Sequence, residues 1–167
     1  MKKFIGVKEI NAKSMTRQEY NDFRGWELPE DENGDDDGFL IEYINGGEAN
    51  NEEFKGYVSW SPHCVFHNAY REVSGMSFGL AIEAMKKGAK VARAGWNGKD
   101  MWISLTDGLE KVDSDIFWNA NNQKFADSNG GCADVLPVIT MKTADNKILM
   151  GWLASQTDMI ADDWEII

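Results

Sequence analysis

The sequence predicts an α+β fold, with a C-terminal helix followed by an antiparallel β-sheet, preceded by a small α+β N-terminal domain. Two observations carry this prediction. Helix signals, in which a capping residue precedes apolar residues at 3.6-residue spacing, are few and short. Short apolar segments bounded by Gly-, Asn- and Asp-rich turns follow them, a pattern typical of antiparallel strands.

The predicted N-terminal domain, residues 1–73, begins with a partly alternating apolar segment over residues 4–15 that indicates a strand. Thr16, with Glu19 three residues later, is typical of a capping box, so a helix is expected over residues 17–26. An acidic, turn-rich loop follows. The other elements expected in this domain are two strands and a helix capped by Ser61, at residues 39–44, 56–60 and 61–71.

The predicted C-terminal domain, residues 76–167, begins with a helix that Ser77 caps and Gly88 ends. Ser155 and Asp158 have the spacing of a second capping box. A short helix is expected near residues 116–118. The strands expected in this domain lie at residues 90–93, 101–105, 136–142, 148–153 and 164–167.

Composition excludes several classes of protein. The formal net charge of −11 argues against binding a nucleic acid polymer, because the phosphate backbone is held mainly by Lys and Arg. No apolar stretch approaches the roughly 20 residues needed to span a bilayer. Two cysteines, Cys64 and Cys132, are too few for a disulfide framework. We therefore expect a cytoplasmic protein with reduced thiols.

Tryptophan is unusually frequent, with seven in 167 residues. Five of them follow residue 76, at positions 96, 102, 118, 152 and 164. Core packing is the ordinary explanation for a single tryptophan, whereas several around one pocket could stack on a nucleobase. Trp96 departs from the ordinary explanation because it lies in a turn with glycine on both sides.

The turn around Trp96 also contains groups that suit an anionic ligand. Gly95 and Gly98 allow backbone N–H groups to approach phosphate oxygens closely. Arg93 offers a fork of donors and Asn97 an amide. No Walker or dinucleotide-binding motif is present, so these residues suggest a site without defining its ligand.

Four segments together resemble a known family. Residues 77–88, 90–99, 136–142 and 152–164 read SFGLAIEAMKKG, KVARAGWNGK, LPVITMK and WLASQTDMIADDW. In this order they resemble the second Thoeris anti-defence family of phage proteins, across nearly all of residues 76–167. The first 75 residues and the longer insertion at residues 106–134 depart from the compact family pattern, and no activity follows for either of them.

The resemblance implies a non-enzymatic protein that acts as a sponge. Such a protein binds glycocyclic ADP-ribose made by the host's TIR-domain enzyme without cleaving it, so that the defence effector stays inactive. Some relatives also hold cyclic di- or trinucleotides at a separate site. The implied assembly is a homo-oligomer, a dimer or a homotetramer built from dimers. The implied location is the cytoplasm of the infected bacterial host, and no cofactor is implied.

The resemblance also implies candidate ligand-binding residues. With Arg93 added to face phosphate, they are Phe78, Arg93, Trp96, Asn97, Met101, Trp102, Trp152, Ser155, Asp158 and Trp164. We expect Trp96 and Phe78 to stack on adenine, and Asn97 and Ser155 to form hydrogen bonds with base or ribose. Asp158 would accept from a ribose hydroxyl, although helix capping explains it equally well. Met101 and Trp102 alternate along a strand, so at most one of them faces a given pocket.

Other motifs carry weaker signals. His63 and His67 are four residues apart on an expected helix, but the glutamate of a metalloprotease motif is replaced by Cys64, and no zinc site is expected. The acidic loop matches a calcium-binding loop incompletely, because Asp36 occupies the glycine position. No nucleophile with a neighbouring base can be named. Two alternatives remain open, a protein-interaction module and, with less support, a hydrolase of the signal.

Overall fold

The computed structural model describes residues 1–96 and 100–167, which form two compact units, Met1–Arg71 and Glu72–Ile167. Both units combine helices with antiparallel sheets, which confirms the predicted α+β class. Within the described ranges, no helix has the length and apolar character needed to cross a membrane.

The N-terminal unit is a three-stranded antiparallel sheet, in the order β1-β2-β3, with two helices. Its elements are β1 (Ile10–Ser14), α1 (Arg17–Arg24), β2 (Gly38–Tyr43), β3 (Tyr57–Pro62) and α2 (His63–Ala69). The core contains Tyr20 from α1, Leu40 from β2 and Val58 from β3. The predicted capping box is present, since Thr16 accepts from the Glu19 amide and Glu19 accepts from the Thr16 amide.

Two boundaries in this unit differ from the sequence prediction. The first strand begins at Ile10, because Ile10 pairs with Tyr43, the last residue of β2. The second helix begins at His63, and Ser61 does not cap it, because Ser61 belongs to β3 opposite Phe39. Sheet pairing therefore overrides both local signals.

The C-terminal unit is built on a five-stranded antiparallel sheet in the order β10-β4-β5-β8-β9. Its elements are α3 (Phe78–Lys86), β4 (Val91–Arg93), β5 (Trp102–Thr106), β6 (Leu109–Asp113), α4 (Ala120–Ser128), β7 (Cys132–Val135), β8 (Val138–Lys142), β9 (Ile148–Met150), α5 (Gln156–Met159) and β10 (Trp164–Ile166). Helix α3 begins at the predicted cap, where Ser77 accepts from the Leu80 amide. Ala81 and Met85 of α3 share a buried core with Val91, Ile103 and Trp164.

The segment between β5 and β8 contains structure that the sequence did not predict. Strands β6 and β7 pair as a separate two-stranded sheet, and α4 lies between them in the chain. A short 3-10 turn at Ser114–Ile116 replaces the helix expected near residues 116–118, and α4 begins further on. The cap explains the position of α4, since the Asn119 side chain accepts from the Asn121 and Asn122 amides.

Candidate ligand-binding site

Four of the predicted site residues form one aromatic cluster in the C-terminal unit. The ring of Trp164 lies 5.2 Å from Phe78, 5.4 Å from Trp96 and 6.3 Å from Trp152, measured between ring centroids. Trp96 and Trp152 are also in contact, at 6.1 Å. We refer to Phe78, Trp96, Trp152 and Trp164 as the aromatic cluster.

The order of strands in the sheet brings these rings together from distant parts of the chain. Phe78 is the first residue of α3, and Trp96 follows β4 in a turn. Trp164 begins β10, which pairs with β4 so that Trp164 lies opposite Arg93. Trp152 follows β9, and its backbone N–H donates to the Ile139 carbonyl of β8 at 2.8 Å. The cluster therefore depends on pairings at both ends of the sheet.

The four rings of the aromatic cluster differ in exposure. Trp164 is fully buried, and its indole N–H donates to the Asp158 carbonyl at 3.0 Å. In the single chain it forms the floor of the aromatic cluster and has no surface to offer a ligand. Phe78, Trp96 and Trp152 are half-buried. These three rings therefore retain aromatic surface above a fixed base.

Beside the aromatic cluster, Arg93 is held by two carboxylates. Its Nε donates to Asp163 Oδ1 at 2.7 Å, its Nη2 to Asp163 Oδ2 at 3.3 Å, and its Nη1 to Asp158 Oδ1 at 3.0 Å. Arg93 was predicted to face phosphate, whereas in this structure its donors are directed at Asp158 and Asp163. The guanidinium links β4 to Asp158 of α5 and to Asp163, which directly precedes β10.

The Gly95 amide is also used within the protein. It donates to Asp163 Oδ2 at 3.0 Å, so the N–H that was expected to approach phosphate already has an acceptor. A Cβ at position 95 would lie 3.1 Å from the same oxygen, which is closer than most side chains tolerate. Glycine at this position is thus explained by the approach of Asp163. Asn97 and Gly98 lie outside the described residues.

Ser155 and Asp158 form the predicted capping box at the start of α5. Ser155 Oγ accepts from the Asp158 amide at 3.2 Å, and Asp158 Oδ2 accepts from the Ser155 amide at 3.1 Å. Asp158 therefore has the capping role that the sequence offered as one of two explanations, and it also binds Arg93. Ser155 is exposed beside it.

The side chains of Met101 and Trp102 point in different directions, as the strand alternation indicated. Met101 packs against the same buried core as the aromatic cluster. Trp102 alternates with the buried Ile103 and lies on the opposite face of the sheet, where the Lys90 ammonium is 5.6 Å from its ring. The structure thus separates Trp102 from the other candidate residues.

The pKa values of both carboxylates beside Arg93 are lowered. For Asp163 the main cause is its hydrogen bond with Arg93. Burial alone would raise the pKa of Asp158, but hydrogen bonds from Ser155 and Arg93 outweigh it and lower the pKa. A carboxylate with a lowered pKa stabilises the fold above its ordinary pKa of about 3.9 and loses that effect as the pH falls through its folded-state value.

We therefore expect the free energy of unfolding of the C-terminal unit to fall as the pH is lowered from 5 towards 2. Asp163→Asn should be less stable than the natural protein at pH 5, and the difference should shrink at low pH. Denaturant unfolding at several pH values measures this, with the exposed neighbour changed in Asp162→Asn as the control. A stability difference that is constant from pH 5 to 2 would contradict the role assigned to Asp163.

Asp163 is the residue that sequence reasoning missed. It lies inside the block at residues 152–164, directly before Trp164, but it is 70 positions from Arg93 along the chain. Only the pairing of β10 with β4 brings the two together.

Other candidate features lie in the N-terminal unit. A cavity of about 340 Å³ is lined by Arg17, Glu32, Asp36 and Trp60. The rings of His63 and His67 lie 4.3 Å apart on α2. Among the residues that the structure describes, no three His, Cys, Asp or Glu side chains are grouped to hold a metal.

The fold and the site define a class of α+β domain in which a five-stranded antiparallel sheet carries an aromatic cluster beside an arginine–carboxylate network. The family model of the Thoeris anti-defense 2-like (Tad2-like) domain matches residues 76–167. A protein named Thoeris anti-defense 2, from Bacillus phage SP01, is 40% identical over 103 residues, covering 55% of this chain and 94% of that protein. The chain therefore belongs to the Thoeris anti-defence 2-like family, and its role is phage anti-defence.

Proposed function

We propose that the C-terminal unit binds and sequesters a cyclic nucleotide immune signal of the glycocyclic ADP-ribose type, without cleaving it, and thereby blocks Thoeris immunity. The observation that carries the proposal is the aromatic cluster, in which three half-buried rings lie around a buried tryptophan within the family-matched residues. Cyclic di- or trinucleotides are further candidate ligands of the same chemical class.

Stacking of one base on these rings would supply at most about a quarter of the affinity that sequestration needs. A sponge must bind at nanomolar concentration or below, about −12 kcal/mol. Base–aromatic stacking contributes roughly 1–3 kcal/mol per base. Trp96, Trp152 and Phe78 meet their cluster neighbours mostly edge to face, at interplanar angles of 66° to 77°. A base would therefore stack on the face of one ring, with hydrogen bonds supplying the remainder.

Sequestration is favoured over hydrolysis by the groups near the cluster. Both histidines of the chain, His63 and His67, lie outside the family-matched residues 76–167. The carboxylates of Asp158 and Asp163 are paired with Arg93, and the pKa of each is lowered, which makes them weaker bases than an ordinary aspartate. General acid–base catalysis at neutral pH is most efficient when the pKa of the catalytic group lies near 7.

Assembly as a dimer or homotetramer is part of the proposal. Large apolar side chains of the C-terminal unit are exposed, among them Leu136 at 78%, Leu153 at 88% and Ile160 at 79%. Exposed apolar side chains that form one continuous patch mark protein–protein contacts. A homo-oligomer would cover such residues with the same surface of a second copy.

Calorimetry tests the proposal directly. Glycocyclic ADP-ribose, a cyclic dinucleotide and a cyclic trinucleotide are each titrated into the full chain, after a thermal-shift screen has ranked them. We expect nanomolar binding of at least one ligand. The absence of heat with every one of them would overturn the proposal, and the interaction-module alternative would then be favoured.

The N-terminal unit is expected to be dispensable for binding. A fragment of residues 72–167 should fold, because these residues form a compact unit with its own core. It should bind the ligand with an affinity within about threefold of the full chain, as expected for independent sites. Calorimetry and sedimentation of the fragment check affinity and assembly. A folded fragment that has lost binding would place part of the site in residues 1–71.

A further inference from the structure

Asp163 contacts the turn that carries Trp96 through both its backbone carbonyl and its carboxylate. Its carbonyl accepts from the Ala94 amide at 2.9 Å, and its Oδ2 accepts from the Gly95 amide at 3.0 Å. The same carboxylate binds Arg93, the last residue of β4, through two donors. Three consecutive residues before Trp96 are therefore attached to one aspartate.

These contacts determine where Trp96 lies. The Trp96 amide donates to the Arg93 carbonyl at 3.0 Å, which closes the turn. Asp163 directly precedes Trp164, the buried floor of the aromatic cluster, and Trp164 pairs with Arg93 across the two strands. The aspartate thus connects the turn to the ring on which Trp96 packs.

Charge makes the attachment specific to a carboxylate. Arg93 is mostly covered, with 19% of its side-chain surface exposed, and needs acceptors for its donors. Asp158 occupies Nη1, which leaves Nε and Nη2 to Asp163. An uncharged side chain at position 163 would weaken charge-assisted bonds, which are about twice as strong as neutral ones.

We infer that Asp163 is a positioning residue for ligand binding, which holds the turn at residues 93–96 so that Trp96 is presented on the aromatic cluster before the ligand arrives. The inference rests on the proposed function and goes beyond it, because Asp163 itself need not touch the ligand. Without this attachment the turn samples other conformations. The apparent affinity then falls in proportion to the fraction of molecules that still hold Trp96 in place.

The test compares Asp163→Asn, which keeps the shape and removes the charge, with Asp162→Asn, which removes the same charge from the exposed neighbour. Calorimetry with glycocyclic ADP-ribose should show affinity about 10 to 100 times weaker for Asp163→Asn, as expected for bonds to a charged group. Asp162→Asn should bind within about twofold of the natural protein.

A second readout follows Trp96 without ligand. In protein labelled with 5-fluorotryptophan, the Trp96 resonance is assigned from its absence in Trp96→Phe. We expect this resonance to shift and broaden in Asp163→Asn, while that of the exposed Trp118 is unchanged. In the Trp96→Phe background, Asp163→Asn should cost much less affinity, because coupled residues are not additive.

The outcomes separate this inference from the proposed function. Absence of binding by the natural protein would overturn the proposed function, and the fluorine spectra of the free protein would still decide the role of Asp163. An unchanged Trp96 resonance in a folded Asp163→Asn would overturn the inference. If Asp163→Asn does not fold, Arg93→Lys breaks the same network from the other side. An unchanged Trp96 resonance in that variant would overturn the inference equally.

Discussion

Trp96→Ala is expected to weaken binding of glycocyclic ADP-ribose by at least about a hundredfold, the loss that corresponds to roughly 2.7 kcal/mol of stacking and packing. Trp96 is the half-buried ring that comes from a turn, and it contacts both Trp152 and Trp164. Its removal takes away one face of the aromatic cluster and leaves the strands paired. Calorimetry measures the affinity, and circular dichroism confirms the fold.

Trp118→Ala is the matched control for this change. Trp118 is 89% exposed in the same unit, so the same substitution removes an indole that is not part of the aromatic cluster. It should bind like the natural protein and keep its stability within about 0.5 kcal/mol. A Trp96→Ala protein that unfolds would mean that Trp96 serves the core, and one that binds normally would remove the aromatic cluster from the site.

Trp164→Ala is expected to unfold the C-terminal unit at physiological temperature. Trp164 is fully buried, packs against Met76, Ala81 and Met85 in the core, and loses its hydrogen bond to the Asp158 carbonyl when truncated. Truncation of a buried tryptophan costs about 3–5 kcal/mol. That loss is comparable with the whole stability of many small domains.

Denaturant unfolding measures the loss of stability, and hydrogen exchange measures amide protection in each unit. Amides of the N-terminal unit should stay protected, because its own core of Tyr20, Leu40 and Val58 is untouched. Amides of α3 and β5 should lose protection. A C-terminal unit that keeps its protection would show that the Trp164 ring is not needed for the core.

Local signals in the sequence predicted much of the fold. The capping residues Thr16, Ser77 and Ser155 each begin the helix expected of them, because capping depends on neighbours within four residues. The first residue of a strand was less predictable, because it depends on how far the partner strand extends. Ile10 begins β1 because it pairs with Tyr43, the last residue of β2. Helix α4 was missed because its apolar residues are few and Asn119 alone marks its start.

Four of the residues named from the sequence lie together in the aromatic cluster. The aromatic residues of the cluster were named from the sequence, because large rings in the matching blocks were the strongest signal. The contacts of Arg93 and Gly95 with Asp163 were not predicted, since Asp163 is 68 to 70 positions away and no local pattern pairs them. The burial of Trp164 likewise follows from the position of β10 in the sheet.

We propose that the C-terminal unit holds the nucleotide without changing it, and one incubation tests this directly. Glycocyclic ADP-ribose is incubated with an excess of the full chain until no free ligand remains, the protein is then denatured by heat, and the released material is analysed by mass spectrometry. The account predicts complete disappearance of free ligand, followed by full recovery of the intact molecule. Recovery of linear or hydrolysed fragments, or ligand that stays free throughout, would contradict it.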